Sequence, residues 1–250
     1  MAIAWVTGAG AGIGRAVSLE LVKRGWTVAA SSRTESNLDS LADDADKLGG
    51  VVLPFALDIT KPEQAHKTVK NIEENIGPIA LSILNAGTYR RCDVSDLSAK
   101  VFHDHMDLNF MGTINCLLPT IEHMRARNTG HIAVVSSLTA YRGIPFASAY
   151  GASKAALTNM CESLKPELGH IGIDLTIIHP GFVKTPLTDK NEFFMPFLIE
   201  VEDAARFIAD GLERRQFEIA FPRRFAFLLK LTRILPYRLY FSITRRLIKD

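Results

Sequence analysis

The sequence predicts a doubly wound α/β fold, a parallel sheet with helices on both faces, and three observations predict it. Short apolar runs alternate with amphipathic stretches along most of the chain. The runs are almost continuously apolar instead of alternating with polar residues, the pattern of strands covered on both faces. The intervening stretches stop at glycines, and one opens on a proline, as crossover helices do.

The elements follow in order. Ile3 to Thr7 reads as the first strand, and a glycine-rich turn leads to a helix from Arg15 to Arg24 that Gly25 ends. Thr27 to Ser32 is the second strand, followed by a helix from Glu35 to Leu48 ended by Gly49 and Gly50. Val51 to Ala56 and Ile79 to Leu84 flank a helix from Lys61 to Ile76, with Pro62 in its first turn and Gly77 beyond its end. His131 to Ser137 and Ile173 to His179 are the fifth and sixth strands, separated by a helix from Tyr150 to about Leu168. Phe217 to Phe221 is the seventh. Ligands of such sheets sit at the carboxyl ends of the strands, so the motifs are expected there.

Composition agrees with one globular domain: 250 residues, 47% hydrophobic and 22% charged. A formal net charge of +2 is too small to suggest nucleic acid as a partner. The distribution of charge is more telling, because residues 221–250 carry eight Lys and Arg against one acid. Three widely separated cysteines, Cys92, Cys116 and Cys161, fit neither a disulfide framework nor a zinc site and suggest a reducing compartment. No run reaches the roughly 18 apolar residues of a membrane span, and the N-terminus enters a strand at once. We therefore expect a cytoplasmic protein without a leader, with peripheral membrane contact as an option.

Two segments depart from the regular alternation. Residues 186–200 hold Phe193, Phe194, Met195, Pro196 and Phe197 in a loop, read either as a lid over a substrate or as ordinary core packing. Residues 223–250 form an extension of the 1–222 domain, with amphipathic segments Arg223 to Leu235 and Tyr237 to Ile248 on either side of Pro236. In the second, Tyr237, Tyr240, Phe241, Leu247 and Ile248 share a face opposite Arg238, Ser242, Arg245 and Lys249. Such helices lie on a membrane interface, or pack on their own domain or a partner subunit.

The turn Thr7-Gly8-Ala9-Gly10-Ala11-Gly12-Ile13-Gly14 joins the first strand to the first helix, where backbone amides and the helix dipole suit a pyrophosphate. Its spacing is Gly8-xxx-Gly12-x-Gly14, not the common GxGxxG. At the second strand's end stand Ser32 and Arg33, with no acid to hold a ribose 2′-hydroxyl; Arg33 suits a 2′-phosphate, and Ser32 adds a hydroxyl. These residues favour NADPH over NADH. A surface role for Arg33 is the plainer alternative.

Tyr150 and Lys154 stand at i and i+4 on one helix face. Ser137 closes the fifth strand thirteen residues earlier, and Asn85-Ala86-Gly87 closes the fourth at the same sheet edge. Ser137 lacks a GxSxG elbow, and His103 and His105 fall on different helix faces, so a hydrolase or a metal site is not expected. His123 and His179 read as packing residues.

Together these motifs resemble the short-chain dehydrogenase/reductase family, with matches from the glycine turn to about Thr185. The matching pattern is TGxxxGxG at Thr7 to Gly14, Asp58 before Ile59, and NAG at Asn85 to Gly87. It continues with Asn109 in the long fourth helix, Ser137, Tyr150 and Lys154, and Pro180-Gly181 leading through Val183 to Thr185. The resemblance implies a Rossmann fold with strand order 3-2-1-4-5-6-7. It also implies that Asp58 holds the adenine edge, that Asn85 to Gly87 support the cofactor cleft, and that Pro180 to Thr185 contact the nicotinamide.

Carbonyl reduction by NADPH is the activity implied, with Ser137 binding the carbonyl oxygen and Tyr150 donating the proton. Lys154, together with the nicotinamide charge of the oxidised cofactor, is expected to lower the phenol's pKa; Lys154 is also expected to bind the nicotinamide ribose, and Asn109 to hold a water linking Lys154 to solvent. The tail differs from soluble tetrameric members such as 3-oxoacyl-carrier-protein reductases. It looks more like the ending of membrane-associated relatives that act on steroid, retinoid or sphingoid ketones. A small hydrophobic carbonyl compound is the expected substrate, and a homodimer the expected assembly. An acyl-carrier-type 3-oxoacyl reductase and a catalytically silent NADPH-binding regulator are the alternatives.

Overall fold

The computed structural model describes residues 2–189 and 194–248. Phe193 and Lys249, both singled out above, lie outside the described residues. Seven parallel strands form one sheet in the order β3-β2-β1-β4-β5-β6-β7. They are β1 (Ile3–Thr7), β2 (Thr27–Ser32), β3 (Val52–Ala56), β4 (Ile79–Leu84), β5 (Gly130–Val135), β6 (Ile173–Pro180) and β7 (Glu218–Phe221). The order is the one expected, and it reverses between β1 and β4, where Val6 pairs with Ile83 and Thr7 with Leu84. A crevice opens at such a reversal because the crossovers leave in opposite directions.

Both faces of the sheet are covered, which explains the continuous apolar strands. On one face pack α1 (Gly12–Lys23), α2 (Glu35–Lys47) and α7 (Val201–Glu213), through Val17, Leu21, Leu38, Leu41, Ile208 and Leu212. On the other pack α3 (Pro62–Asn75), α5 (Gly112–Ala126) and α6 (Ser148–His170), through Val69, Ile72, Leu117, Met124, Leu157 and Cys161. Arg24 ties α1 to α7 by pairing with Asp210 and Glu213 at 2.8 Å each. Trp5 is fully buried inside the sheet, and its indole N–H donates to Ser31 Oγ at 3.0 Å. Burying that ring is tolerated because its one polar atom is paired.

Two boundaries differ from expectation in ways that matter for the site. Helix α1 starts at Gly12, inside the glycine turn and three residues before Arg15, so the turn feeds directly into the first amides of the helix. Strand β5 stops at Val135, and Ser137 stands outside it as the cap of a short 3₁₀ turn, Leu138–Ala140, accepting from the Thr139 amide at 3.2 Å. The fourth helix of the sequence reading is divided: α4 (Ala99–His105) passes through a π-helical turn, Met106–Met111, into α5. Asn109 sits in that turn. Extra-residue turns of this kind project a side chain that a regular helix would aim elsewhere.

The tail forms α8 (Arg223–Thr232) and α9 (Tyr237–Thr244), shorter than the two segments expected, and then a 3₁₀ turn, Arg245–Leu247. Ala226 packs on Leu138 and Tyr141, beside Phe225 and Leu229. The face expected in the second segment is split: Tyr240 turns inward, with its hydroxyl donating to the Gly143 carbonyl, while Tyr237 and Phe241 stack on each other and stay exposed. Arg142 reaches back over the Tyr240 ring at 4.0 Å and donates to the Leu235 carbonyl at 3.0 Å. No helix among the described residues is long and apolar enough to cross a membrane.

Candidate active site

The crevice is built around Thr7. Its hydroxyl accepts from the amides of Asn85 (3.0 Å) and Ala86 (3.2 Å), and Asn85 Nδ2 donates to the carbonyls of Thr7 (3.0 Å) and Gly8 (3.3 Å). The glycine turn and the NAG segment are thereby locked together at the reversal. Gly8 has φ +66°, and a Cβ there would fall 2.8 Å from Ala86 Cα. A Cβ on Gly14 would fall 2.3 Å from the Gly8 carbonyl oxygen. Glycine is required at both places by packing as much as by conformation.

A cleft of about 310 Å³ follows. It is lined by the expected Gly8, Gly12, Ile13, Ser32, Arg33, Asp58, Ile59, Asn85, Ala86, Gly87 and Thr185. Gly14 lies buried beneath the turn and supports the cleft without lining it. Pro180, Gly181 and Val183 are also outside the lining. Gly181 donates its amide to Phe221 at the end of β7, and Val183 is buried in a bridge to Ile199. Pro186 and Leu187, at the start of the 186–200 segment, also line the cleft, as do Thr34, Asn37, Leu57 and Leu108, to which the sequence gives no role. Asn37 stands in the first turn of α2, just after the end of β2; a Cβ on Gly10 would meet Asn37 Cβ at 3.1 Å and Ser32 Oγ at 2.9 Å.

The donor set fits a dinucleotide: crowded glycines, the N-terminus of α1, and an exposed cation at the end of β2. Burial would raise the Asp58 pKa, but the Thr60 hydroxyl (2.8 Å) and amide (3.0 Å) both donate to Oδ1, and Arg33 and Lys61 add positive charge. The net effect holds this carboxyl below its usual range.

Ser137, Tyr150, Lys154 and Asn109 converge at the neighbouring strand ends. Tyr150 is half-buried, hydrogen-bonded to Ser137, and its ring lies 5.9 Å from Lys154 Nζ. Lys154 is buried, and its ammonium donates to the Val135 carbonyl at 2.8 Å. Gly87 leaves room for it: a Cβ there would stand 3.3 Å from Lys154 Nζ and 3.1 Å from Asn109 Oδ1. Asn109 is fully buried and spans residue 88, with Oδ1 accepting from the Thr88 amide at 2.7 Å and Nδ2 donating to the Thr88 carbonyl and to Ser153 Oγ, both at 3.0 Å.

The protein's own groups alone do not lower the phenol; the expected lowering includes the charge of the oxidised cofactor. Burial pushes Tyr150 up to about 12; the Ser137 hydrogen bond opposes this and the neighbouring Tyr89 adds to it. Lys154 does not counter burial: its ammonium stands 5.9 Å from the ring centroid and donates to the Val135 carbonyl. Burial in turn brings Lys154 down to about 8. A phenol held neutral over the whole physiological range is a proton donor, the form that reduction requires.

Two further residues shape this environment. Tyr89 stacks edge-on against Tyr150 at 5.0 Å, and His105 does so at 6.4 Å. His105 Nδ1 lies 2.8 Å from the Val101 carbonyl oxygen, and Nε2 accepts the Arg90 amide at 3.3 Å. The sequence reading set His105 aside with His103 as a surface or packing residue. Its burial and its place one residue before the π turn give it a supporting role for the segment that follows NAG.

Of the proposed lid, Phe194 is 88% exposed, and Phe197, at φ +56°, stacks on Phe225 of α8 at 5.5 Å. Phe225 also stacks on Phe182 at 6.0 Å. The Ile199 amide donates to the Phe182 carbonyl, and the Lys184 amide to that of Ile199. The segment is thus partly core, at its far end, and partly exposed.

A family model described as short chain dehydrogenase matches residues 2–193. An uncharacterized oxidoreductase of Myxococcus xanthus is 36% identical over 244 residues, 98% of this chain and 96% of that protein. The 3-oxoacyl-[acyl-carrier-protein] reductase FabG of Thermotoga maritima is 32% identical over 185 residues, 74% of this chain and 75% of its own. Among solved structures, a short chain dehydrogenase/reductase from Burkholderia phymatum in complex with NAD superposes with a TM-score of 0.85. It is 22% identical and covers 92% of both chains.

Proposed function

The chain belongs to the short chain dehydrogenase family, and we propose that within it this protein is an NADPH-dependent reductase converting a hydrophobic, lipid-like or steroid-like ketone into a secondary alcohol, reversibly. The observation that carries this reading is the neutral Tyr150 phenol, hydrogen-bonded to Ser137 and flanked by the buried Lys154.

In this reading the Ser137 hydroxyl donates to the substrate carbonyl oxygen and fixes it beside Tyr150. Tyr150 donates its phenolic proton to that oxygen as negative charge develops there. Lys154 binds the ribose next to the nicotinamide, and its charge opposes the rise of the phenol once proton transfer begins. When bound, the dihydronicotinamide supplies the hydride. Asn109 holds the Thr88 segment so that Gly87 and Lys154 keep their spacing. Proton return to Tyr150 runs from solvent by way of Lys154.

The cofactor preference rests on Arg33, which is exposed at the mouth of the cleft, with Ser32 beside it and no acid on that strand end. The apolar substrate class rests on the exposed Leu187, Phe194, Phe197 and Leu198. A second reading, a reductase of 3-oxoacyl thioesters, is favoured by the Thermotoga relative.

The test is turnover with NADPH and with NADH against ketones graded by chain length and ring number, plus a 3-oxoacyl thioester, with Tyr150→Phe as control. Tyr150-dependent NADPH oxidation that rises with ketone apolarity is expected. Preference for the thioester supports the second reading. Tight NADPH binding with no turnover of any carbonyl would replace both with a silent, regulatory protein, and turnover by Tyr150→Phe would end the proton-donor role.

A further inference from the structure

The tail presents an outward surface that neither the fold nor the cleft uses. Helix α8 turns Phe225, Ala226 and Leu229 toward the domain, and α9 turns Tyr240 and Thr244 inward. What remains outside is unusually apolar. Phe227, Leu231 and Ile234 follow one another at i, i+4 and i+7 along one stripe, and Ile234 is 79% exposed. On α9, Leu239 and the stacked pair of Tyr237 and Phe241 continue the exposed apolar area. This is a larger set than scattered surface hydrophobics account for.

The same surface is wholly cationic. Arg223 and Arg224 open α8, Arg238 stands on α9, and Arg245 and Arg246 form the last turn, all exposed. Between Ile219 and Ile248 there is no Asp or Glu. Lys230 is turned back to the domain, where it pairs with Glu218, and the charge of Arg233 also reaches Tyr141 and His179.

We propose that α8 and α9 form a docking surface for an anionic lipid bilayer. Apolar side chains enter the acyl boundary while arginines on flexible stems keep their heads among the phosphates, an arrangement that requires no acid in the protein. A second copy of the chain fits this surface poorly. Two-fold contact would press two cationic faces together with nothing to neutralise either. Nucleic acid would account for the arginines and leave Phe227, Leu231 and Ile234 without a role. The inference stands on the tail alone and does not depend on the reductase reading.

The experiment is sedimentation of the full chain with large unilamellar vesicles, one set of phosphatidylcholine and one in which part of it is replaced by phosphatidylglycerol. Partitioning at least about tenfold stronger onto the anionic vesicles is expected, and it should weaken between about 0.1 M and about 1 M salt as charges are screened. Phe227→Ser, Leu231→Ser and Ile234→Ser combined should abolish it, and Arg238→Glu with Arg245→Glu should do the same on the electrostatic side. All five residues are exposed and stand outside the cluster through which Ala226, Phe225 and Leu229 pack on the domain, and circular dichroism with NADPH binding checks that each variant is folded. Partitioning indifferent to the anionic lipid, or unchanged in the triple serine variant, overturns the proposal. So does a wild-type dimer that the triple variant converts to monomer, since the surface would then belong to a second copy.

Discussion

Replacing Lys154 with methionine isolates one charge in the site and yields a signed, pH-dependent result. Lys154 is 4% exposed, its ammonium has the Val135 carbonyl as partner at 2.8 Å, and burial lowers it from 10.5 to about 8. Between those two values the unfolded chain binds the proton and the folded chain does not, so the stability of the folded state rises with pH across that window. Below about pH 8 the cost of burying the ammonium is fully present; above 10.5 it is gone. The shift of about two and a half units, at about 1.36 kcal/mol each, is worth about 3 kcal/mol. Lys154→Met keeps a side chain of similar length and removes the titration. Urea unfolding of both proteins from about pH 7 to about 10.5 should show the wild type gaining about 3 kcal/mol on the variant. The lost bond to Val135 adds an offset that does not vary with pH and leaves the slope untouched. Parallel curves would refute the reasoning, because they would mean that the ammonium pays no burial penalty. In the reductase, kcat/KM should fall above about pH 8 for the same reason, as the free enzyme loses its ammonium.

Three other perturbations test separate parts of the site. Arg33→Ala should weaken NADPH by about tenfold or more, the value of one charge-assisted hydrogen bond, and NADH by much less; fluorescence titration that shows equal losses removes the 2′-phosphate argument. Gly14→Ala drives a methyl to 2.3 Å from the Gly8 carbonyl and 2.5 Å from Asn85 Nδ2. It should cost about 1 to 3 kcal/mol by overpacking, and an unchanged melting temperature would show that the turn can yield. Asn109→Ala deletes three hydrogen bonds around residue 88. Unfolding in urea should reveal a loss of about 2 to 4 kcal/mol together with a fall in kcat, and an unaltered midpoint would show that water replaces the amide.

Periodicity and punctuation made the sheet legible. Strands covered on both faces have no polar side to display, and four of the crossover helices, α1, α2, α3 and α6, are followed by a positive-φ glycine, whereas Asn128 and Arg215 take that conformation after α5 and α7. The glycine turn, Asn85 and the Tyr150–Lys154 pair were legible because each serves a local geometric demand: a turn, a clamp or one helix face. What the sequence hid depends on contacts between distant segments. Nothing in Met106–Met111 announces a π turn, since its extra residue is absorbed only when Asn109 finds Thr88 and Ser153. His105 resembled its neighbour His103 until the fold buried one of them. Burial of the Tyr150 phenol, which raises its pKa among the protein's own groups, is likewise invisible in the i, i+4 spacing that brings Lys154 near it. Tyr240 was placed on a shared apolar face, and tertiary packing turned it alone inward.

The tail is more than an appendage, because polar contacts join it through β7 and β6 to α6, the helix of Tyr150 and Lys154. Glu218 on β7 accepts from the Tyr141 hydroxyl at 2.6 Å, pairs with Lys230 of α8, and stands 3.4 Å from His179 Nδ1. Burial would raise this carboxyl, but Lys230 and Tyr141 hold it below its usual range. Burial brings His179 down to about 4, so the imidazole is neutral at pH 7, and its Nε2 meets Thr158 Oγ1 at 3.1 Å. Thr158 in turn donates to the Lys154 carbonyl at 3.1 Å, and Ser136 donates to the same carbonyl at 2.9 Å. From Lys230 to the backbone of Lys154 the chain of contacts is unbroken, and Phe225 adds an apolar link to Phe182 and Phe197. Removing residues 223–250 would therefore strip Glu218 of its cation and uncover Leu138 and Tyr141, immediately after Ser137. A truncated protein would confound any surface role of the tail with damage to the site, whereas substitutions confined to its outward stripe leave both links in place.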